Sequence, residues 1–188
     1  MKKSRSLLIF IIIAVFVITL GAIQINKSSN KTEAALLEKY GLNGLSVEEI
    51  VYSLDSTKSD ARGLSASITG EYLVLYDNSE EIKLALPEDK FYLSFAPYIT
   101  QTHPCGTHSL SSCQGELVNQ TVNVIITDGK GSVIINSDMT TMENGFVGVW
   151  LPRNMNATVE VLYNGLSAQT SFTTFSESNT CLTTLPLS

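Results

Sequence analysis

From Tyr72 to Phe172 the chain repeats one pattern: a short apolar run, then a turn signal. Tyr72-Leu-Val-Leu-Tyr76 and Ile82 to Leu86 flank Asp77-Asn78-Ser79, a turn-forming trio. Phe91-Tyr-Leu-Ser-Phe95 alternates large apolar residues and then meets Pro97, which suits the edge or end of a strand. Further strand candidates are Thr121 to Thr127, Ser132 to Asn136, Gly145 to Leu151, Ala157 to Tyr163 and Leu166 to Phe172. Asp128-Gly-Lys-Gly131, Glu143-Asn-Gly145, Pro152-Arg-Asn154 and Asn164-Gly165 separate them. The last is a strong two-residue hairpin signal. Short strands at even spacing with such turns predict an antiparallel sandwich or barrel.

Ahead of this series the pattern is helical. Thr32 to Tyr40 reads as a short helix ended by Gly41 and Gly44. Ser46-Val-Glu-Glu49 is a capping box, in which serine and glutamate satisfy each other's free amides. The helix it opens, Val47 to Leu54, puts Val47, Ile50, Val51 and Leu54 on one face. The expected fold class is α+β, mainly β: a short N-terminal helical segment, then an antiparallel β sandwich or barrel-like domain. The expected divisions are 1–26 (signal or anchor), 27–68 (helical segment) and 69–188 (β domain with the candidate site).

The chain opens Met-Lys2-Lys3-Ser-Arg5 and then runs apolar from Leu7 to about Ile23, with Thr19 its one polar residue. A basic start before such a run reads as a secretory signal or a signal anchor. Small residues at Gly21 and Ala22 form no clean cleavage site, so a retained anchor is the favoured reading. Lys2, Lys3 and Arg5 would then lie inside the cell. Everything after about Asn26 is expected outside the cytoplasm, secreted or anchored. The 18 acids outnumber 12 lysines and arginines, for a net charge of −6, and three of those bases sit in the leader. That balance argues against nucleic acid and anionic lipid as partners, leaves the N-terminal segment as the membrane contact, and suits attraction of cations.

Both histidines and two of the three cysteines fall in one stretch, His103-Pro-Cys105-Gly-Thr-His108-Ser-Leu-Ser-Ser-Cys113. It lies in a loop between two strands, about Ile99 to Leu117, where sites are commonly carried on a β scaffold. Cys181, the third thiol, lies beyond the strand-like sequence. Pro104 holds His103 extended, and residues two apart on extended backbone point to one side, as His103 and Cys105 would. His108 comes within reach if the chain turns at Gly106. Copper(I) is soft and prefers sulfur, and imidazole also suits copper. Three cysteines and a histidine equally make a tetrahedral zinc set. Outside the cytoplasm thiols pair readily, so a Cys105–Cys113 disulfide, stabilising by roughly 2–3 kcal/mol, is the competing structural reading. It would leave Cys181 spare in an extracellular interaction module. The thiols also permit redox chemistry: two thiolates can each pass one electron to copper(II), leaving copper(I) and a disulfide. The chain would then be a stoichiometric cupric reductase with Cys105, Cys113 and Cys181 as redox thiols, reset by an external thiol system.

Met139-Thr-Thr-Met142 offers thioethers, for which gap filling is the simpler role. Asn30, Asn119 and Asn156 begin three-residue glycosylation patterns of the kind that arise by chance. No serine stands in a nucleophile motif, and no glycine loop suits phosphate.

Several of these segments together carry a resemblance. Ser94-Phe-Ala-Pro-Tyr98, Gln101-Thr-His103-Pro-Cys105, His108-Ser-Leu and Cys113-Gln-Gly-Glu116-Leu resemble the CueP family of exported bacterial copper-binding proteins. So do Val149-Trp-Leu-Pro-Arg153, Ala157-Thr-Val and Thr180-Cys181-Leu-Thr-Thr184. The likeness runs from about Thr32 to Leu187. It implies copper tolerance outside the cytoplasm, with copper bound by Cys105, Cys113 and Cys181 and helped by His103 and His108. It also implies a small helical part before a β domain, and it allows a homodimer. A thiol-disulfide oxidoreductase and a copper-acceptor protein are the further partners that such a role calls for. Gly106-Thr107 stand where some members carry bulky aromatic residues, so a more flexible loop is expected here.

Overall fold

The computed structural model describes residues 31–57, 63–77 and 80–188. The apolar run at 7–23, its linker and turn residues 78 and 79 lie outside them. Among the described residues no helix is long and apolar enough to cross a membrane. The chain divides into two compact units at Gly44/Leu45. In the first, residues 31–39 form a helix, α1. Gly41 follows at φ 70°, and Leu42 N–H bonds the Leu37 carbonyl at 2.8 Å, closing the helix end.

The second unit begins with α2, Val47–Asp55. Its capping box forms as expected: Glu49 N–H donates to Ser46 Oγ, and Ser46 N–H donates to Glu49 Oε2 at 2.7 Å. Ile50, Val51, Leu54 and Asp55 are its buried residues. Among the described residues eleven strands follow: β1 (Ser65–Ile68), β2 (Tyr72–Asp77), β3 (Glu80–Ala85), β4 (Lys90–Tyr98), β5 (His108–Ser109), β6 (Thr121–Asp128), β7 (Val133–Thr140), β8 (Val147–Pro152), β9 (Asn156–Tyr163), β10 (Leu166–Thr173) and β11 (Cys181–Pro186). They form three open sheets, ordered β3-β2-β1-β5, β10-β9-β6-β7 and β11-β4-β8. The architecture is mainly β with short N-terminal helices, and none of these sheets closes into a barrel.

The β9–β10 hairpin turns on Asn164 and Gly165, at φ 51° and 81°. Two successive positive φ values are what a type I′ turn needs, and the Asn-Gly pair supplies them. The core lies between the sheet containing β4 and the one containing β6. Phe91, Leu93 and Phe95 of β4 pack there with Val122, Val124 and Ile126 of β6, and with Val159 and Val161 of β9. β4 is buried on both faces, because Tyr92, Ser94 and Ala96 are covered as well. A strand sends alternate side chains to opposite faces, so this second face of β4 is free to build something other than the core.

Three elements differ from the sequence expectation. β1 falls within the stretch expected to be helical. β5 is a two-residue strand inside the expected loop. Cys181 does not lie beyond the strands but opens β11, which runs parallel to β4 with Cys181 opposite Ser94.

Candidate metal centre

The second face of β4 carries the site. Cys181 on β11 shares a small buried cluster with Ala96, Cys113 and Phe146, against which Cys105 packs. Leu182, the next residue, turns to the main core. The loop from Cys105 to Cys113 is stitched down at several points. The Gly106 carbonyl accepts from the amides of Thr180 (2.9 Å) and Cys181 (3.1 Å). Thr180 Oγ1 accepts from His108 N–H at 3.0 Å and donates to the Ile68 carbonyl at 2.6 Å. The Leu110 amide donates to Ala66 of β1 at 2.9 Å. Gly106 is thus tied down at its carbonyl, and a Cβ there would lie 3.2 Å from Asn179 Oδ1, so the missing side chain leaves room for Asn179. Further on, Gly115 and Gly145 touch backbone to backbone. A Cβ on either would sit 2.6 Å from the other's carbonyl oxygen. That contact is the physical reason for the glycine in Cys113-Gln-Gly-Glu116. Glu116 then clamps the exit of β4, accepting from the amides of Ile99 (2.7 Å), Thr100 (2.9 Å) and Gln101 (3.2 Å), and from Thr100 Oγ1 at 2.6 Å.

One potential ligand atom from each of Cys105, His108, Cys113 and Cys181 lies within 4.8 Å of all the others. Cys105 and Cys181 are joined as a disulfide, with Cα atoms 5.7 Å apart and a sequence separation of 76. Cys113 is free, with its sulfur 3.6 Å from that of Cys105. The bond therefore joins Cys105 to Cys181, not to Cys113, because β11 delivers Cys181 directly beneath the loop. Cys105 is half-buried, whereas His108, Cys113 and Cys181 are enclosed. His103 stands outside the set of four, half-buried beside Phe146 with ring centroids 6.2 Å apart. Phe146, fully buried, also packs on His108 at 4.8 Å and walls the site.

The sequence reading did not weigh Asp55. This carboxylate ends α2, is fully buried, and accepts from His108 Nε2 (2.7 Å), Tyr92 Oη (2.5 Å), Asn144 Nδ2 (2.8 Å) and Ser94 Oγ (3.4 Å). Asn144 Nδ2 also bonds the Asp55 carbonyl at 2.7 Å. A signal was present in the sequence: Asp55 is four residues after Val51, on the apolar face of the helix. It also puts negative charge at the helix C-terminus, which the helix dipole disfavours. A residue that breaks two local rules is often there for a site. With Nε2 engaged by Asp55, Nδ1 of His108 is left buried with no hydrogen-bond partner among the described residues. A buried imidazole nitrogen without a partner is costly unless something binds it.

The electrostatics follow from this arrangement. Burial pulls the His108 imidazolium down, but the bond to Asp55 and attraction to the Cys113 sulfur outweigh it and bring its pKa to about 9. Burial pushes the Cys113 thiol up, but His108, His103 and the Ser109 backbone outweigh it and bring it to about 7. Burial and the Asp55 charge push the Tyr92 phenol well above its ordinary value, so it remains a donor. A cysteine near neutrality is readily a thiolate, the form that ligates metal and does redox chemistry.

Fold and site together define a β-sheet protein with a buried cluster of three sulfurs and one imidazole, able to hold a metal ion. Residues 49–186 match the family model described as periplasmic copper-binding protein CueP. The chain is also similar to a solved structure titled "Crystal Structure of S.CueP", at 51% identity and TM-score 0.80, covering 83% of this chain and 97% of that one. No curated protein matches it significantly. The chain belongs to the CueP family of periplasmic copper-binding proteins.

Proposed function

We propose that this protein binds copper(I) outside the cytoplasm through the thiolates of Cys105, Cys113 and Cys181, with His108 Nδ1 as the nitrogen donor. His103 stands at the rim. One observation carries the reading: three sulfurs converge on a buried imidazole nitrogen that has no hydrogen-bond partner among the described residues, while a carboxylate fixes the opposite edge of the same ring. A carboxylate on the far nitrogen of a ligating histidine fixes its tautomer and raises its basicity. A soft donor set of this kind favours copper(I), as does the family. Zinc is the competing metal for three cysteines and a histidine.

The disulfide supports the redox half of the proposal. With Cys105 and Cys181 reduced, each thiolate gives one electron to a copper(II) ion. Two copper(I) ions and one disulfide result, and any protons on the two sulfurs are released. Reduction stops there until a thiol-disulfide oxidoreductase resets the pair. Cys105, the half-buried partner, is the sulfur that an incoming thiolate can reach. A retained N-terminal anchor would keep this chemistry at the membrane surface, and a copper-acceptor protein would complete the route.

The test is anaerobic titration of the reduced protein with copper(I) against a competing chelator, with zinc in parallel. Tight uptake near one equivalent, lost in Cys105→Ser, is expected. Unchanged affinity in that variant, or tighter zinc binding, would sink the copper reading. Mixing reduced protein with copper(II) and a copper(I)-specific chromophore tests the reductase half, which fails if copper(I) appears no faster than with free cysteine.

A further inference from the structure

Gap filling is the simpler role of Met139 and Met142, and Met139 does pack against the main core, but the structure also puts the two in one place. Both line an open groove of about 320 Å³, on the side of β8 that carries Gly148 and Trp150. Tyr52 and Tyr92 complete its aromatic walls, and Tyr52 is 71% exposed. Met142 has a second contact. It packs against the buried cluster of Cys113, Cys181 and Phe146, as Cys105 does. One methionine therefore borders both the groove and the buried cluster that contains Cys113 and Cys181.

We propose that this groove is a second, weaker site for a soft monovalent cation, held by the Met139 and Met142 thioethers, from which copper(I) passes to or from the cysteines. The inference rests on the copper reading above. Thioether sulfur selects copper(I) and similar soft ions. Among the described residues neither carboxylate nor imidazole lines the groove, so calcium, magnesium and zinc find no set of their own there. Trp150 presents a ring on which a poorly hydrated cation is stabilised. Its ring packs on that of Tyr92 at 4.9 Å, and the Tyr92 hydroxyl reaches Asp55. The chain's acidity draws cations to its surface in general, and the thioethers determine which of them stay. Neutral thioethers hold copper(I) less tightly than thiolates do, which suits a site of transit.

The experiment uses Cys113→Ser in its oxidised form, in which the Cys105–Cys181 disulfide leaves no free thiol. Silver(I) serves as a redox-inert probe for copper(I), and the methionine methyl groups are labelled with carbon-13. The Met139 and Met142 methyl signals should shift together and saturate near one equivalent, while Met155, which does not line the groove, stays still. Met139→Leu/Met142→Leu, which keeps the apolar volume, should abolish the effect. In the wild-type protein that double variant should slow copper(I) loading of the reduced cysteines several-fold at unchanged final affinity. Stationary Met139 and Met142 signals, or equal shifts at Met155, would overturn the inference. If the groove fails while reduced wild-type protein still takes up copper(I), the thiolate reading stands alone. If the methyl groups shift while the cysteines take up none, the thiolate reading is the one that falls.

Discussion

Asp55→Asn separates a site built around His108 from a mere cluster of cysteines. Asparagine has nearly the same shape as aspartate, so the cavity is unchanged. Its oxygen can still accept from His108 Nε2 and Asn144, and the Tyr92 hydroxyl can turn to accept from its amide. What disappears is the charge that strengthens three short bonds, at 2.5, 2.7 and 2.8 Å. Charged hydrogen bonds contribute about 1 kcal/mol more each than neutral ones, or about 3 kcal/mol in all. Part of this is offset because a buried charge no longer has to be desolvated, so a net loss of about 1–3 kcal/mol is expected. Copper(I) affinity should fall by about 10–100-fold, the usual effect of removing the partner that orients a ligating histidine. Denaturant unfolding of the reduced protein gives the first quantity, and anaerobic competition with a copper(I) chelator gives the second. Tyr92→Phe is the control: it removes one hydroxyl, costs about 1 kcal/mol, and leaves affinity within a few-fold. A folded Asp55→Asn protein with copper affinity within twofold of wild type would refute the role given to the Asp55–His108 pair.

Other expectations follow from the same geometry. A Cβ at Gly148 would overlap the Tyr92 hydroxyl and lie 2.7 Å from its ring carbon, so Gly148→Ala should destabilise by about 1–3 kcal/mol in denaturant unfolding. Unchanged stability there would show that Tyr92 does not rest on Gly148. The Thr100 hydroxyl and the neighbouring amides hold the Glu116 carboxyl at about 2, below its unfolded value of about 4.3. Its contribution is therefore present above about pH 4.3 and is lost as pH falls toward 2. Glu116→Gln should flatten stability over that acid range, and an unchanged pH profile in the variant would contradict the clamp. Peptide mapping of oxidised protein should find Cys105 joined to Cys181 and Cys113 alkylated only after unfolding; a Cys105–Cys113 peptide would reverse the pairing.

Local features were the legible ones. The Asn164-Gly165 hairpin and the Ser46–Glu49 capping box depend on neighbouring residues, and both form as expected. The clustering of His103, Cys105, His108 and Cys113 was visible because these residues are rare and adjacent. What could not be read was long-range. β11 pairs in parallel with a strand nearly ninety residues earlier, and Thr183, Thr184 and Pro186 disguise it as a tail. β1 alternates Ser-Ala-Ser-Ile over only four residues and β5 has two, too short a stretch for a periodic signal to stand out. Asp55 was marked by its place on the apolar face, but its meaning came only from His108, 53 residues away. Spacing treated His103 and His108 alike. The fold distinguishes them by burying one ring against a carboxylate and leaving the other at the rim.

The most direct test of the central claim is X-ray absorption at the copper edge of reduced protein carrying one equivalent of copper(I). A shell dominated by sulfur with one nitrogen is expected, losing sulfur in Cys113→Ser and nitrogen in His108→Ala. A shell of nitrogen and oxygen alone, or one unchanged by removing Cys113, would contradict a copper site built from these thiolates.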